Sequence, residues 1–149
     1  SKHRLIHLEG SKMRLRKEVQ AAIFTGKRFL LIRKYDAALN EFHWRLVKGG
    51  IKKDESETDA LRREILEETG LKNLELIDKI YDYTYTFRDI KHEVAVYLVK
   101  ADLSEKVNLS EKTIVDFAWE NPETAIKTLK WEDERNSLKT ALRKIRHKS

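Results

Sequence analysis

The sequence of 149 residues contains no cysteine. Disulfides, thiolate zinc sites and a cysteine nucleophile are therefore excluded, although this absence leaves the compartment open. No stretch approaches the run of roughly 18 apolar residues that a membrane-spanning helix needs, and no signal-peptide pattern is visible. A soluble cytoplasmic protein without a membrane partner is the expectation. Methionine and proline occur once each, while Lys and Glu dominate the charged set. That balance resembles the composition of proteins from hot environments. Internal repeats, low-complexity tracts and linkers are also missing, so one compact domain is expected. A chain of this length can bury about two thirds of its unfolded surface without a covalent staple.

What is present is charge. Charged residues make up 38% of the chain, the net charge is +6 and the pI is near 9.4. An excess of positive charge suits polyanionic partners such as nucleotides, RNA ends or polyphosphates. Met13 follows Leu8-Glu9-Gly10-Ser11, which reads like a cloning scar. Residues 1–12 are accordingly read as a vector-derived or flexible segment, and residues 13–149 as the domain.

The local pattern alternates strands and helices. Residues 17–24 are rich in β-formers and residues 29–32 form an apolar run, with Thr25-Gly26-Lys27 between them as a hairpin turn. Residues 35–41 read as a loop, and residues 43–47 as a short strand ending at Gly49-Gly50. Ser56 is a good N-cap with Asp59 in the capping-box position, and Gly70 suits the position after the last turn, so a helix is expected over 57–69. One or two strands follow over 74–87, then strands over 93–99 and 117–119. Asn121-Pro122 opens a helix, and residues 131–145 form a final amphipathic one with Leu138, Leu142 and Ile145 in phase. The sum is an α/β layered domain around a mixed sheet.

Within the first helix, Glu64, Glu67 and Glu68 fall at i, i+3 and i+4, inside an arc of about 100°. Like charges at this spacing repel by a few tenths of a kcal/mol per pair. A solvated helix face would normally alternate Glu with Lys, and neither i+4 partner here is basic. Such clustered carboxylates gain from a hard cation, Mg²⁺ or Mn²⁺.

The surrounding residues sharpen this reading. Gly49, Glu55, Arg63, Glu64, Ile65, Glu67, Glu68, Gly70 and Leu71 meet every fixed position of the Nudix box, within GGIKKDESETDALRREILEETGL. The chain thus resembles the Nudix hydrolases over about a sixth of its length, and more loosely in strand order. The resemblance implies the Nudix fold, an αβα sandwich around a mixed sheet, and metal-dependent cleavage of a diphosphate linkage. It implies Gly49, Glu64, Glu67 and Glu68 as metal-binding residues. Glu64 and Arg63 would belong to the catalytic apparatus, with Arg63 and Glu55 as the structural pair. The family places its general base sometimes on this helix and sometimes on a later loop, where Glu111 is the candidate.

The flanks are similar to those of diadenosine-tetraphosphate hydrolases. Trp44 precedes Lys48-Gly49 at the expected interval, although Val47 stands where that branch often has proline. Ser110-Glu111, Trp119 and Glu123-Thr124-Ala125 fit the later part of the pattern. Lys48 and Lys91 are candidate phosphate contacts. Tyr83 and Tyr85, alternating on one strand face, are candidates to stack on a base. The substrate so implied is a dinucleoside polyphosphate, diadenosine tetraphosphate cut asymmetrically to ATP and AMP. An RNA 5′-pyrophosphohydrolase acting on an RNA 5′ end, a nucleoside triphosphate clean-up enzyme and an inactive nucleotide-binding module are the alternatives.

Overall fold

The computed structural model describes the backbone of residues 4–8 and 11–147 and the side chains of residues 13–147. In chain order the elements are β1 (Arg4–Leu8), β2 (Ser11–Thr25), β3 (Arg28–Asp36), β4 (Glu41–Arg45), β5 (Val47–Gly50), α1 (Glu57–Thr69), β6 (Leu74–Phe87), β7 (Ile90–Ala101), β8 (Ile114–Glu120), α2 (Pro122–Thr128) and α3 (Glu132–His147). The strands form one eight-stranded sheet. Strand β2 runs parallel to β7 and antiparallel to β1, β3 and β5, so the sheet is mixed.

Alternation along the strands divides the core between the two faces. Val19, Ala21 and Ile23 of β2, with Leu30 and Ile32 of β3, pack against Ala60, Leu61 and Ile65 of α1. Ala22, Phe24, Phe29 and Leu31 point the other way, onto Ala125 and Leu129 by α2 and Leu138 and Ala141 of α3. Both faces are covered, which is why the run 28–32 is apolar without a break after its first residue. The result is the expected αβα sandwich around a mixed sheet. Burial of Leu61 and Ile65 contributes about 1.5–3 kcal/mol each.

The first helix obeys its sequence signals. Ser56 accepts a hydrogen bond from the Asp59 amide at 3.1 Å, and Gly70 turns left-handed at φ 78° while its amide bonds back to the Leu66 carbonyl. A side chain at Gly70 would also meet the Asn108 carbonyl at 2.9 Å. Asn121 caps α2 by accepting from the Thr124 amide.

Two expectations shift, and a third is narrowed. The loop expected over 35–41 is a tight hairpin: Asn40 takes φ 53°, Tyr35 donates to its side chain, and pairing resumes at Asp36↔Glu41. The single strand expected over 43–47 is two, broken at Leu46. Arg45 pairs with Ile32 of β3, whereas Val47 pairs with Ala21 of β2. Between them the Leu46 amide leaves the ladder and donates to Glu134 of α3 at 2.9 Å. Residues 74–87 are one strand with two register shifts. Residues 1–3 and 9–10 of the segment read as vector-derived or flexible lie outside the described residues; of the rest, Arg4–Leu8 pairs with the start of β2.

Candidate active site

The acidic helix face turns inward. Its buried stripe comprises Ala60, Leu61, Glu64, Ile65 and Glu68, so two of the three glutamates lie against the sheet among apolar neighbours. Strand β5 passes directly beneath. A Cβ on Gly49 would stand 2.0 Å from the Cδ of Glu64, so only the bare backbone admits this carboxylate.

Arg63 organises the same face. Its Nε and Nη2 donate to the two oxygens of Glu55 at 2.7 and 2.9 Å, a bidentate fork, and Nη2 also donates to the Gly50 carbonyl at 2.8 Å. Nη1 donates to Glu64 at 2.9 Å and to Glu67 at 3.2 Å. The fork, with the Lys52 amide, holds the Glu55 carboxyl down at about 2. Arg63 in turn stays charged, its guanidinium raised above the usual arginine range mainly by Glu55.

Glu68 is the strained member. It is 5% exposed, and burial pushes its carboxyl up to about 8, against the pull of Lys34, whose Nζ stands 3.9 Å away. The neighbouring Glu64 carboxyl adds to the rise. Its Oε1 is buried without a hydrogen-bond partner. An orphaned carboxylate oxygen beside a second carboxylate is the donor set a hard divalent cation fits. Among the described residues no three acidic or histidine side chains already stand together as a ligand set. The half-exposed Glu67 is drawn to Arg63 instead.

On the other sheet face lies a second constellation. Tyr81, Tyr83 and Tyr85 form a ladder with ring centroids 6.1 and 6.2 Å apart, and Tyr85 stacks on His92 at 4.3 Å. Each hydroxyl is anchored: Tyr81 to Asp133, Tyr83 to Gln20, Tyr85 to Glu18. Glu18 also accepts from His92 at 2.8 Å and lies 3.9 Å from Lys48, whose Nζ donates to the Tyr85 hydroxyl at 2.7 Å. Although burial works against ionisation, Lys48, Arg16 and His92 hold the Glu18 carboxyl below the usual range. Burial lowers the Lys48 ammonium.

Tyr83, Tyr85, Phe87 and Trp131 line a cleft of about 450 Å³, and Arg45 and Lys48 border both it and an adjoining cavity of about 250 Å³. That smaller cavity is also lined by Lys34, the neighbour of Glu68. The aromatic wall and the basic side chains therefore border adjoining cavities, and Lys34 links the smaller one to Glu68 of the acidic cluster.

Two of the residues singled out by sequence stand elsewhere. Lys91 pairs with Thr86, one residue out of step with the tyrosines, so its side chain leaves the opposite face of the sheet from Tyr85. Glu111 occupies the exposed turn before β8, where its side chain accepts from Thr113. Neither is brought to the tyrosine-lined cleft, which lies among other residues. Conversely, Glu18, Arg45, Trp131 and Glu134 belong to the cleft or its supports and carry no spacing signal. The one hint was a carboxylate, Glu134, three residues after Trp131 on the apolar stripe of a helix.

Residues 14–141 match the NUDIX domain family. The chain belongs to the Nudix family of hydrolases, whose members generally use divalent metal ions. An RNA pyrophosphohydrolase from Bartonella henselae is 36% identical over 70 residues, 46% of this chain and 39% of that protein. The corresponding protein from Bartonella tribocorum is 33% identical over 67 residues, 44% of this chain and 38% of that one. The chain thus spans about two fifths of the length of these curated relatives. A C. elegans Ap4A hydrolase solved as a binary complex superposes with a TM-score of 0.78 at 23% identity, covering 88% of this chain and 98% of that one. The MutT protein from Methanosarcina mazei Go1 gives 0.73 at 24% identity, covering 88% and 95%. At these identities the structural likeness establishes the fold.

Proposed function

We propose that the chain is a Mg²⁺- or Mn²⁺-dependent pyrophosphohydrolase that cleaves diadenosine tetraphosphate asymmetrically to ATP and AMP. The observation that carries this reading is a pair of adjoining cavities, the first walled by Tyr83 and Tyr85, both bordered by Lys48, and the second lined by Lys34, which stands 3.9 Å from Glu68. A base bound on the tyrosines would leave its phosphate chain running along the basic side chains towards the carboxylates. The structural likeness to the C. elegans Ap4A hydrolase agrees with this reading.

Glu64, Glu67 and Glu68, with the backbone of Gly49, are the residues that would hold the metal. Bound there, a divalent ion offsets the charge that the phosphates present to an incoming water and polarises that water. The chain supplies the rest. Arg63 fixes the direction of Glu64 by hydrogen bonding, and Gly49 leaves the space in which that carboxylate stands. A carboxylate of the cluster accepts the proton of the attacking water, and Glu64, packed against the Gly49 backbone and oriented by Arg63, is the group proposed. Lys48, whose Nζ reaches the Tyr85 hydroxyl and lies 3.9 Å from Glu18 at the border of both cavities, is the residue proposed to contact the phosphate chain.

A second reading, action on an RNA 5′ end, is favoured by one observation: the local similarity to RNA pyrophosphohydrolases covers almost half of this chain. A panel of diadenosine tetraphosphate, triphosphorylated RNA and nucleoside triphosphates, assayed with Mg²⁺ and resolved by mass, separates the two. Fastest turnover of the dinucleotide supports the proposal; fastest turnover of the RNA replaces it with the second reading.

A further inference from the structure

Arg45 stands where the two cavities meet, bordering both. Its Nε donates to Glu134 at 2.9 Å, and its guanidinium carbon lies 4.0 Å from the centre of the Trp131 ring. Among the described residues Glu134 is the only hydrogen-bond or ion-pair partner of the Arg45 side chain. The two terminal nitrogens are thus the part of the fork left for the cavities. Such a fork matches the paired oxygens of a phosphate, which a point charge such as lysine does not.

Glu134 is unusual in its own right. It is a carboxylate on α3 with 1% exposure, and it lies at the edge of the cleft rather than in solvent. Its Oε1 accepts from Arg45, while Oε2 accepts from the Leu46 amide at 2.9 Å and from Gln20 at 3.0 Å. Gln20 passes the connection to Tyr83. One buried anion therefore holds directly both the strand switch at Leu46 and the guanidinium, while Tyr83 is held by Gln20. A buried charge is costly unless its partners repay the desolvation, and a helix-to-sheet staple could be made by apolar contacts at less cost.

We propose that Arg45 is an anion-binding residue of the cleft, contacting a phosphate between the aromatic wall and the acidic cluster, and that Glu134 is the positioning residue that holds it there. The inference rests on the reading of this cleft as a nucleotide site. It differs from a stitching role for Glu134 in one measurable respect. A stitch acts on stability whatever stands at position 45, whereas a positioning residue acts on the ligand only while Arg45 is present.

The probe is ADP with Mg²⁺, its Kd measured by calorimetry on the whole chain, so that no turnover is needed. Arg45→Ala is expected to raise Kd about tenfold and Glu134→Gln about fivefold, while adding Glu134→Gln to Arg45→Ala changes Kd less than about twofold. An equal weakening by Glu134→Gln in both backgrounds, or unchanged ADP binding in Arg45→Ala, overturns the proposal. If Glu134→Gln does not fold, Arg45→Lys decides the matter, since it keeps the charge and loses the fork. Binding close to that of Arg45→Ala supports the proposal, and wild-type binding overturns it. Coupling to ADP in a protein that leaves diadenosine tetraphosphate intact would retire the substrate reading and leave this one standing.

Discussion

Glu64 occupies the space that a side chain on Gly49 would fill: an added Cβ would lie 2.0 Å from its Cδ and 2.2 Å from both oxygens. The glycine is required by contact and not by backbone conformation, since its φ is not in the left-handed region. The loop and helix ends of the acidic motif are therefore fitted to each other at this point. Gly49→Ala must displace the carboxylate. Turnover is expected to fall roughly 100-fold, the scale on which an ångström of misplacement acts, while the circular dichroism spectrum stays that of the wild type. Near-normal turnover would mean that Glu64 can act from elsewhere.

Glu68 should matter to chemistry more than to folding. Glu68→Gln removes the ability of this carboxyl to ionise against a bound cation, at the group whose Oε1 is buried without a partner, and preserves the side-chain shape. A loss of roughly two orders of magnitude in kcat is expected, with the metal-free melting temperature little changed, because burial raises this carboxyl to about 8 and so keeps it largely neutral near pH 7. Steady-state kinetics and thermal melts together check this. A variant with wild-type kcat would take Glu68 out of the metal-binding set.

The N-cap makes a contrasting case. Ser56→Ala deletes the acceptor of the Asp59 amide and should cost about 1 kcal/mol, read by denaturant titration, with kcat intact. An unchanged midpoint would show that the cap contributes nothing to α1.

How far the sequence could be read follows from these residues. Both ends of α1 were legible because capping is local: Ser56, Asp59 and Gly70 are a few positions from the amides they serve. The fork from Arg63 to Glu55 was legible through the motif. The facing of Lys91 is not legible in a single strand, because it depends on register with the neighbours, and the pairing Thr86↔Lys91 sets it on the far side from Tyr85. Glu134, Glu18 and Arg45 could not be found by spacing. Glu134 meets its partners 114 and 89 positions away in the chain, and nothing in a local window records that.

Glu55 gives the account a pH dependence. Arg63 first, and the Lys52 amide with it, hold its carboxyl at about 2, below the ordinary 4.5. A depressed acid contributes stability that is present above the unfolded value and is lost as the pH falls through the folded one. Melting temperatures should therefore decline between about pH 4.5 and about pH 2, and Glu55→Gln should decline less steeply across that window. Parallel curves for the two proteins would remove the fork from the acid response.

The tyrosine wall is tested through binding. Tyr83→Ala and Tyr85→Ala should each weaken diadenosine tetraphosphate by about 1–3 kcal/mol, the range for a base on an aromatic ring, with the larger effect in KM. Tyr85→Ala additionally frees Lys48 from its hydroxyl partner. Binding by both variants equal to the wild type would place the base elsewhere in the cleft.

The most direct test of the central claim is hydrolysis of diadenosine tetraphosphate in ¹⁸O-labelled water, with products identified by mass. The account predicts ATP and AMP in equal amounts, the label in one of the two, turnover abolished by a chelator, and turnover lowered about 100-fold in Glu68→Gln. Two molecules of ADP, or turnover that survives the chelator, would contradict it.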